Sequence, residues 1–212
     1  MTTTVGLRER KKQQTRETIA RVAFELFVAR GFEAVPIVEI ARRADVSEAT
    51  VFNHFPTKED LVYDRFEQFR SALLEAVRDR DPALSIPAAF RRFLARTHSP
   101  LASRDPVVVQ RVVDITRVIT GSPALRARER QIYEDYTDAL AAIIASETDA
   151  RPGDVEPWVV ANALIGVHRA LIEFVRANIL AGRIGPSLVR RARVQLDKAM
   201  AGLGLRATTP GK

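Results

Sequence analysis

The sequence predicts an all-α protein of about nine helices, the first few short and the later ones long. Three observations predict it. Apolar residues recur at helical spacing along most of the chain, no alternating apolar run is bracketed by hairpin signals, and proline or glycine marks nearly every break in the pattern.

The first helix is expected over about residues 16–30, where Ile19, Val22, Ala23, Leu26 and Phe27 share one face and Gly31 supplies the left-handed residue that ends it. The second, about 36–44, opens on Pro36 and carries Ile37, Ile40, Ala41 and Ala44 together. The third, 47–53, begins at Ser47, whose hydroxyl suits an N-cap worth about 1 kcal/mol. The fourth starts after Thr57 and runs to about residue 80, with Leu61, Val62, Phe66, Phe69, Leu73 and Val77 as its apolar stripe. Beyond Asp81-Pro82 five longer, more continuously apolar helices follow at about 86–99, 105–120, 123–149, 154–182 and 186–203. The chain accordingly divides into residues 1–60, a small domain with a basic N-terminal arm, and residues 61–212, a larger helical domain.

With 212 residues, 46% of them apolar, the chain can bury a sizeable core. It has no cysteine, which excludes a disulfide framework, a thiolate metal site and a cysteine nucleophile and fits a cytoplasmic location. The N-terminus lacks the apolar core of a signal peptide, and no stretch is expected to approach the ~18 apolar residues of a membrane span. His54, His98 and His168 have no metal-ligand spacing, and phosphate-loop, nucleophile-elbow and dinucleotide fingerprints are missing. Neither enzymatic activity nor a cofactor or metal is expected.

The net charge is +7, but residues 1–60 hold 10 Lys and Arg against 9 Asp and Glu, residues 61–184 hold 17 against 16, and residues 185–212 hold 6 against 1. Within residues 1–21 there are 6 basic side chains against 2 acidic ones, so charge marks the N-terminal arm rather than the domain behind it. Arg10, Lys12 and Arg16 are either phosphate contacts or part of a solubilising tail. Arg190, Arg191 and Arg193 read as a solvated face.

The stretch ADVSEATVFNHFPTKEDL, residues 44–61, carries the functional signal. Ala41 and Ala44 are small enough for two short helices to cross closely, and Asp45 tolerates the left-handed conformation their turn needs. Val46, Val51 and Phe55 point back at the first two helices, which leaves Ala49 and Asn53, flanked by Glu48, Thr50 and Phe52, on the outer side. That face is small and polar enough to enter a major groove about 12 Å wide, where Asn pairs with adenine and Thr or Ala meets a thymine methyl. Glu48 either answers the helix dipole or accepts from cytosine. Thr57 with Asp60 forms a capping box, and the amides there, with Lys58 beside them and His54 just before, suit a backbone phosphate.

TRETIARVAFELFVARGFEAVPIVEIARRADVSEATVFNHFPTKEDL resembles the DNA-binding domain of the TetR family of transcriptional regulators over about 45 residues. The resemblance implies an N-terminal helix-turn-helix domain, a homodimer on a two-fold symmetric operator, and control by a small ligand held in the C-terminal helices. It gives Thr50 and Phe52 groove or backbone contacts, and His54 and Lys58 phosphate contacts. Three positions depart from the family pattern. Phe52 stands where Tyr is common and lacks its hydroxyl, Val35-Pro36 replaces hydroxyl residues before the second helix, and Asp45 replaces a frequent Gly and adds negative charge. The expected DNA-binding set is Arg16, Ser47, Glu48, Ala49, Thr50, Phe52, Asn53, His54, Thr57 and Lys58.

In the last helix Val189, Ala192, Leu196, Ala199 and Leu203 fall at spacings of 3, 4, 3 and 4, and the preceding helix is apolar on more than one side through residues including Leu164, Leu171 and Val175. Either these stripes pack within one chain or they form a four-helix dimer interface, and the expectation is a dimer. Phe93, Val113, Thr116, Arg117, Tyr136 and His168 are the candidate effector contacts, a set of apolar walls with a few polar anchors; each polar member is also readable as a satisfied core residue, the usual role of a lone histidine such as His168 on an apolar stripe. SPALRARERQIYEDYTDAL is similar to a TetR subgroup linked to fatty acyl ligands.

The function expected is therefore a ligand-responsive transcriptional regulator, a homodimeric repressor released from a palindromic operator on double-stranded DNA by a small apolar effector such as a fatty acyl compound, with no membrane partner. The alternative is a helical small-molecule-binding or scaffold protein without specific DNA binding, which a flat salt response and no preferred sequence would reveal.

Overall fold

The computed structural model describes residues 6–64, 66–96, 103 and 105–204. All regular elements among these are helices: α1 (Leu7–Arg30), α2 (Ile37–Arg43), α3 (Glu48–His54), α4 (Asp60–Tyr63), α5 (Phe66–Arg78), α6 (Ile86–Arg96), α7 (Pro106–Thr120), α8 (Pro123–Glu147), α9 (Glu156–Leu180) and α10 (Pro186–Gly202). Two compact units result. One takes the chain up to Arg65 together with Arg117–Arg128; the other takes Phe66–Thr116 and the chain from Glu129 onward.

Two elements differ from expectation. α1 begins at Leu7, so the basic arm is the helix's own first turns: no proline or glycine interrupts Leu7–Arg30, and its Arg, Lys, Gln and Glu are strong helix formers. The expected fourth helix is two pieces, α4 and α5, which raises the number of helices from nine to ten among the described residues. Leu61 and Tyr63 of α4 are buried in the first unit and Leu73 and Val77 of α5 in the second, so the pieces serve different cores. The expected end of the fifth helix, observed as α6, lies with His98 outside the described residues.

The first unit is built on α1, which packs on α2 and α4, while α2 packs on α3. Ile19, Leu26, Phe27, Ile40, Val51 and Phe55 form its core. Gly31, at φ 83°, turns the chain so that Phe32 brings its ring 5.0 Å from that of Phe27. Asp45 adopts φ 55° between α2 and α3, and the Val46 amide donates back to the Ala41 carbonyl at 3.0 Å. The turn between α7 and α8 belongs to this unit. Ser122 caps α8 by accepting from the Leu125 amide at 3.1 Å and donates to Glu33 at 2.6 Å. Tyr63 donates to the Leu125 carbonyl at 2.9 Å, and Arg128 pairs with Asp60 at 3.1 Å.

In the second unit α5 packs on α6, α6 on α9 and α10, and α9 on α10. Leu73, Phe90, Leu94, Leu140, Leu164 and Ile165 are fully buried there. α9 corrects one expectation: an 18-residue window of it has mean hydropathy 1.4, long and apolar enough to cross a membrane by length and composition. In this unit part of that apolarity packs against α10 and α6, 39% of the window being buried, and α9 also carries Arg176, whose buried guanidinium pairs with buried Glu129 at 2.7 Å.

Candidate functional site

α3 has only seven residues, too few to persist alone, and its placement is set at both ends. At the start, the Ser47 hydroxyl accepts from the Thr50 amide at 3.1 Å and shares a hydrogen bond with the Thr50 hydroxyl at 2.8 Å. On the inner side Val51 and the following Phe55 are completely buried. The opposite side holds Ser47, Glu48, Ala49, Phe52 and Asn53, all exposed, with Thr50 half-buried. Phe52 leaves 46% of its surface open, an unusual exposure for a large apolar ring.

Beside this face His54 is half-buried, and its Nδ1 is enclosed without a hydrogen-bond partner. Burial, then the nearby charges of Arg16 and Lys12, hold its pKa below the ordinary value, so the ring is neutral at neutral pH. Leaving Nδ1 bare and placing the proton on Nε2 avoids a buried, unsatisfied N–H and makes Nε2 a donor.

The capping box forms: Thr57 Oγ1 accepts from the Asp60 amide at 3.3 Å, and the Asp60 carboxylate accepts from the Thr57 amide at 3.0 Å. It changes the expectation for this turn. α4 is only four residues long, so its dipole is slight, and two of the amides at its start are already engaged. Lys58 is likewise engaged within the unit. Its ammonium donates to the Phe32 carbonyl at 2.6 Å and lies 4.3 Å from the centre of the Phe32 ring, and burial lowers its pKa against the raising effect of Glu33 and Glu59. Arg16 donates to the His54 carbonyl and pairs with Asp64 rather than projecting from the arm. Arg10 and Lys12 remain exposed on the first turns of α1.

In the second unit a ring cluster brings three of the candidate effector residues together around Phe69, which the sequence placed only in a core stripe. His168 stacks on Phe69 at 5.0 Å, Tyr136 at 5.9 Å, and Phe93 meets it edge-on at 5.3 Å. The Tyr136 hydroxyl donates to the Phe66 carbonyl at 2.6 Å, and burial pushes its pKa up. Val113 is half-buried, and the Thr116 hydroxyl is turned onto its own helix, donating to the Val112 carbonyl at 2.7 Å. Arg117 is exposed and falls in the first unit, apart from this group, because α7 passes from one unit to the other beside it.

The expected dimer residues are covered within one chain to different degrees. Leu164, Leu171, Val175, Val189, Ala192 and Leu196 are buried within the single chain, Ala199 is half-buried and Leu203 is exposed. A 3-4 seam is also what one helix needs against its own neighbour, and α9 and α10 use it on each other. The apolar side chains these helices leave open are Trp158, Val159, Leu180 and Val194. An open groove of about 130 Å³ runs between them, lined by Ala170, Phe174, Gln195 and Ala199 over the buried Val167, Leu171 and Leu196. Among the described residues no cluster of three or more His, Asp or Glu could hold a metal ion.

Comparison with known proteins identifies the family. Residues 19–64 match the family described as bacterial regulatory proteins, tetR family, and residues 84–196 match the family described as the MftR C-terminal domain. The chain is 32% identical over 146 residues to the HTH-type transcriptional regulator TcmR of Streptomyces glaucescens, a match covering 66% of this chain and 63% of TcmR. It is 27% identical over 164 residues to MftR of Mycobacterium tuberculosis, covering 77% of this chain and 81% of MftR. A TetR family transcriptional regulator from Pseudomonas syringae pv. tomato superposes with a TM-score of 0.51 at 26% identity, covering 91% of this chain and 96% of that one. The chain belongs to the TetR family of bacterial regulatory proteins, DNA-binding transcriptional regulators rather than enzymes.

Proposed function

We propose that α3 is the reading helix, entering the major groove with Ala49, Thr50 and Asn53 toward base edges, and that the chain acts as a homodimeric repressor released from a palindromic operator by a small effector. The observation that carries this reading is the division of α3 itself: Val51 and Phe55 fully enclosed, Ala49 and Asn53 open, and the first turn closed by Ser47. Asn53 suits adenine, while Thr50 and Ala49 suit a thymine methyl. Phe52 lies along the sugar edge, Glu48 faces the groove, and the Nε2 of His54 with Arg10 and Lys12 meets phosphates. Lys58 and Thr57 act from the flank, Lys58 through whichever of its three donors the Phe32 carbonyl leaves open.

Two copies would have to hold their α3 helices about 34–36 Å apart. The groove between α9 and α10, with Trp158, Val159 and Val194 exposed on the same helices and Leu203 exposed just past α10, is the surface we assign to pairing. The effector we assign to the second unit is apolar, a fatty acyl compound being the sequence's own suggestion, and it would act by loosening the ring cluster around Phe69. An effector that favours the splayed dimer by about 1 to 3 kcal/mol weakens operator binding roughly 5- to 150-fold. The place of action is the cytoplasm.

The test is enrichment of genomic DNA fragments by the purified chain, followed by titration of the enriched sequence against salt. The expected result is a two-fold symmetric sequence whose affinity falls steeply with salt. Binding indifferent to salt, with no enriched sequence, would favour the scaffold alternative.

A further inference from the structure

We propose that Arg16 is a positioning residue of α3, tying the last carbonyl of that helix to Asp64 and so fixing the angle at which α3 is presented. This rests on the reading that α3 meets DNA. α3 ends without a glycine, and the helix-terminal carbonyl of His54 is satisfied from outside, by Nη1 of Arg16. The same guanidinium turns Nε to Asp64 Oδ1 at 2.8 Å and Nη2 to that same oxygen. Its Cζ lies 4.3 Å from the centre of the Phe55 ring, which is itself completely buried. One side chain of α1 thus holds the end of α3, the residue after α3 and the residue after α4.

Only arginine can make this set of contacts. A lysine ammonium could reach one acceptor, but it has neither the planar fork nor the flat face that stacks on Phe55. The anchor also has a particular place in the chain: Asp64 is two residues before α5, at the edge of the first unit. Arg16 and Asp64 offset part of each other's charge, with side chains 34% and 26% exposed, while His54 at the end of α3 still feels Arg16 ahead of Lys12. This partial cancellation gives the proposal a diagnostic sign. An Asp near DNA repels phosphate, so removing it ought to tighten binding unless the residue is needed to hold Arg16 in place.

The experiment uses the full chain and two probes, the duplex that the wild-type chain selects from a random-sequence library and a duplex of mixed sequence. Asp64→Asn is expected to weaken binding to the selected duplex about tenfold, as an aligned base contact is lost, while changing binding to the mixed duplex by no more than about twofold. Asp64→Glu recovers part of the loss, Arg16→Lys behaves like Asp64→Asn, and the salt slope stays at its wild-type value. Tighter or unchanged binding of the selected duplex by Asp64→Asn overturns the proposal. So does an equal loss on both duplexes, the signature of a partly unfolded chain, and so does an Arg16→Gln variant whose salt slope drops by about 0.9, which would make Arg16 a phosphate contact. If the wild-type chain selects no sequence at all, the reading of α3 fails and the proposal falls with it; selection by the wild type without loss in Asp64→Asn removes only the proposal.

Discussion

α3 and α9 mark the two extremes of this molecule. α3 is seven residues long, and its position depends on separate polar contacts: the Ser47 cap, the Arg16 tie to His54 and the box at Thr57 and Asp60 just beyond it. α9 is 25 residues long, has no side-chain cap, and holds its place by area, burying Leu164, Ile165, Leu171 and Ile179, with Arg176 among them paired to Glu129 and Glu173. A two-turn helix lacks the length to stabilise itself, so its geometry is only as fixed as the contacts at its ends. A long amphipathic helix has geometry to spare but an ambiguous surface, because several of its faces are apolar enough to be the inner one. The first arrangement suits a reading head, where an angle matters; the second suits a scaffold that can accept another molecule.

The largest effect should come from the buried ion pair of the long-helix region. Arg176→Met removes the guanidinium that donates to both oxygens of the buried Glu129 side chain, and is expected to destabilise the fold by about 3 to 5 kcal/mol, whereas adding Glu129→Gln should recover much of that loss. Thermal melting of the two variants checks it; equal melting temperatures would mean that the pair is hydrated and that the contrast with α3 is overstated. Next is Ser47→Ala, expected to cost about 0.5 to 2 kcal/mol and to speed amide exchange in α3 while leaving α9 protected. Tyr63→Phe removes the hydroxyl that reaches the Leu125 carbonyl and should cost about 0.5 to 1.5 kcal/mol, confined to the first unit.

The smallest effect concerns pH. The folded-state pKa of His54 is depressed, so the unfolded chain binds the proton more readily than the folded one. Its contribution to stability is complete above about pH 6.5 and declines as the pH falls through the depressed value. DNA phosphate at Nε2 would favour the charged ring, so operator affinity should rise over the same acid range. The difference between wild type and His54→Gln, followed from about pH 7.5 to about pH 5.5, isolates both trends. A variant with the wild-type pH profile would show that this ring takes no part.

How far the sequence could be read follows the same contrast. Residues with a local mechanism were readable: Ser47 as a cap, Asp45 at positive φ, Gly31 at the end of α1, and Thr57 with Asp60 as a box all depend on neighbours within a few positions. The partners of Arg16 and Lys58 were not, since Asp64, the His54 carbonyl and the Phe32 carbonyl lie far along the chain and a lone basic residue near a reading helix looks like a phosphate contact. The break between α4 and α5 escaped because the apolar stripe from Leu61 to Val77 keeps a helical period straight through it, and only tertiary packing assigns its halves to different cores. The helical start of α1 escaped because Leu7–Arg16 has good helix formers but no apolar face. In α9 and α10 the apolar positions were legible but not their use, because a buried seam and a pairing surface have the same spacing.

The most direct measurement is the sequence preference of Asn53→Ala, read beside wild type from the same random duplex library. If α3 lies in the groove, the variant still folds and still binds duplex, but it loses discrimination at one base pair in each half-site, a loss of about 1 to 3 kcal/mol there and little elsewhere. An unchanged preference at every position would contradict the central claim that the open face of α3 reads DNA.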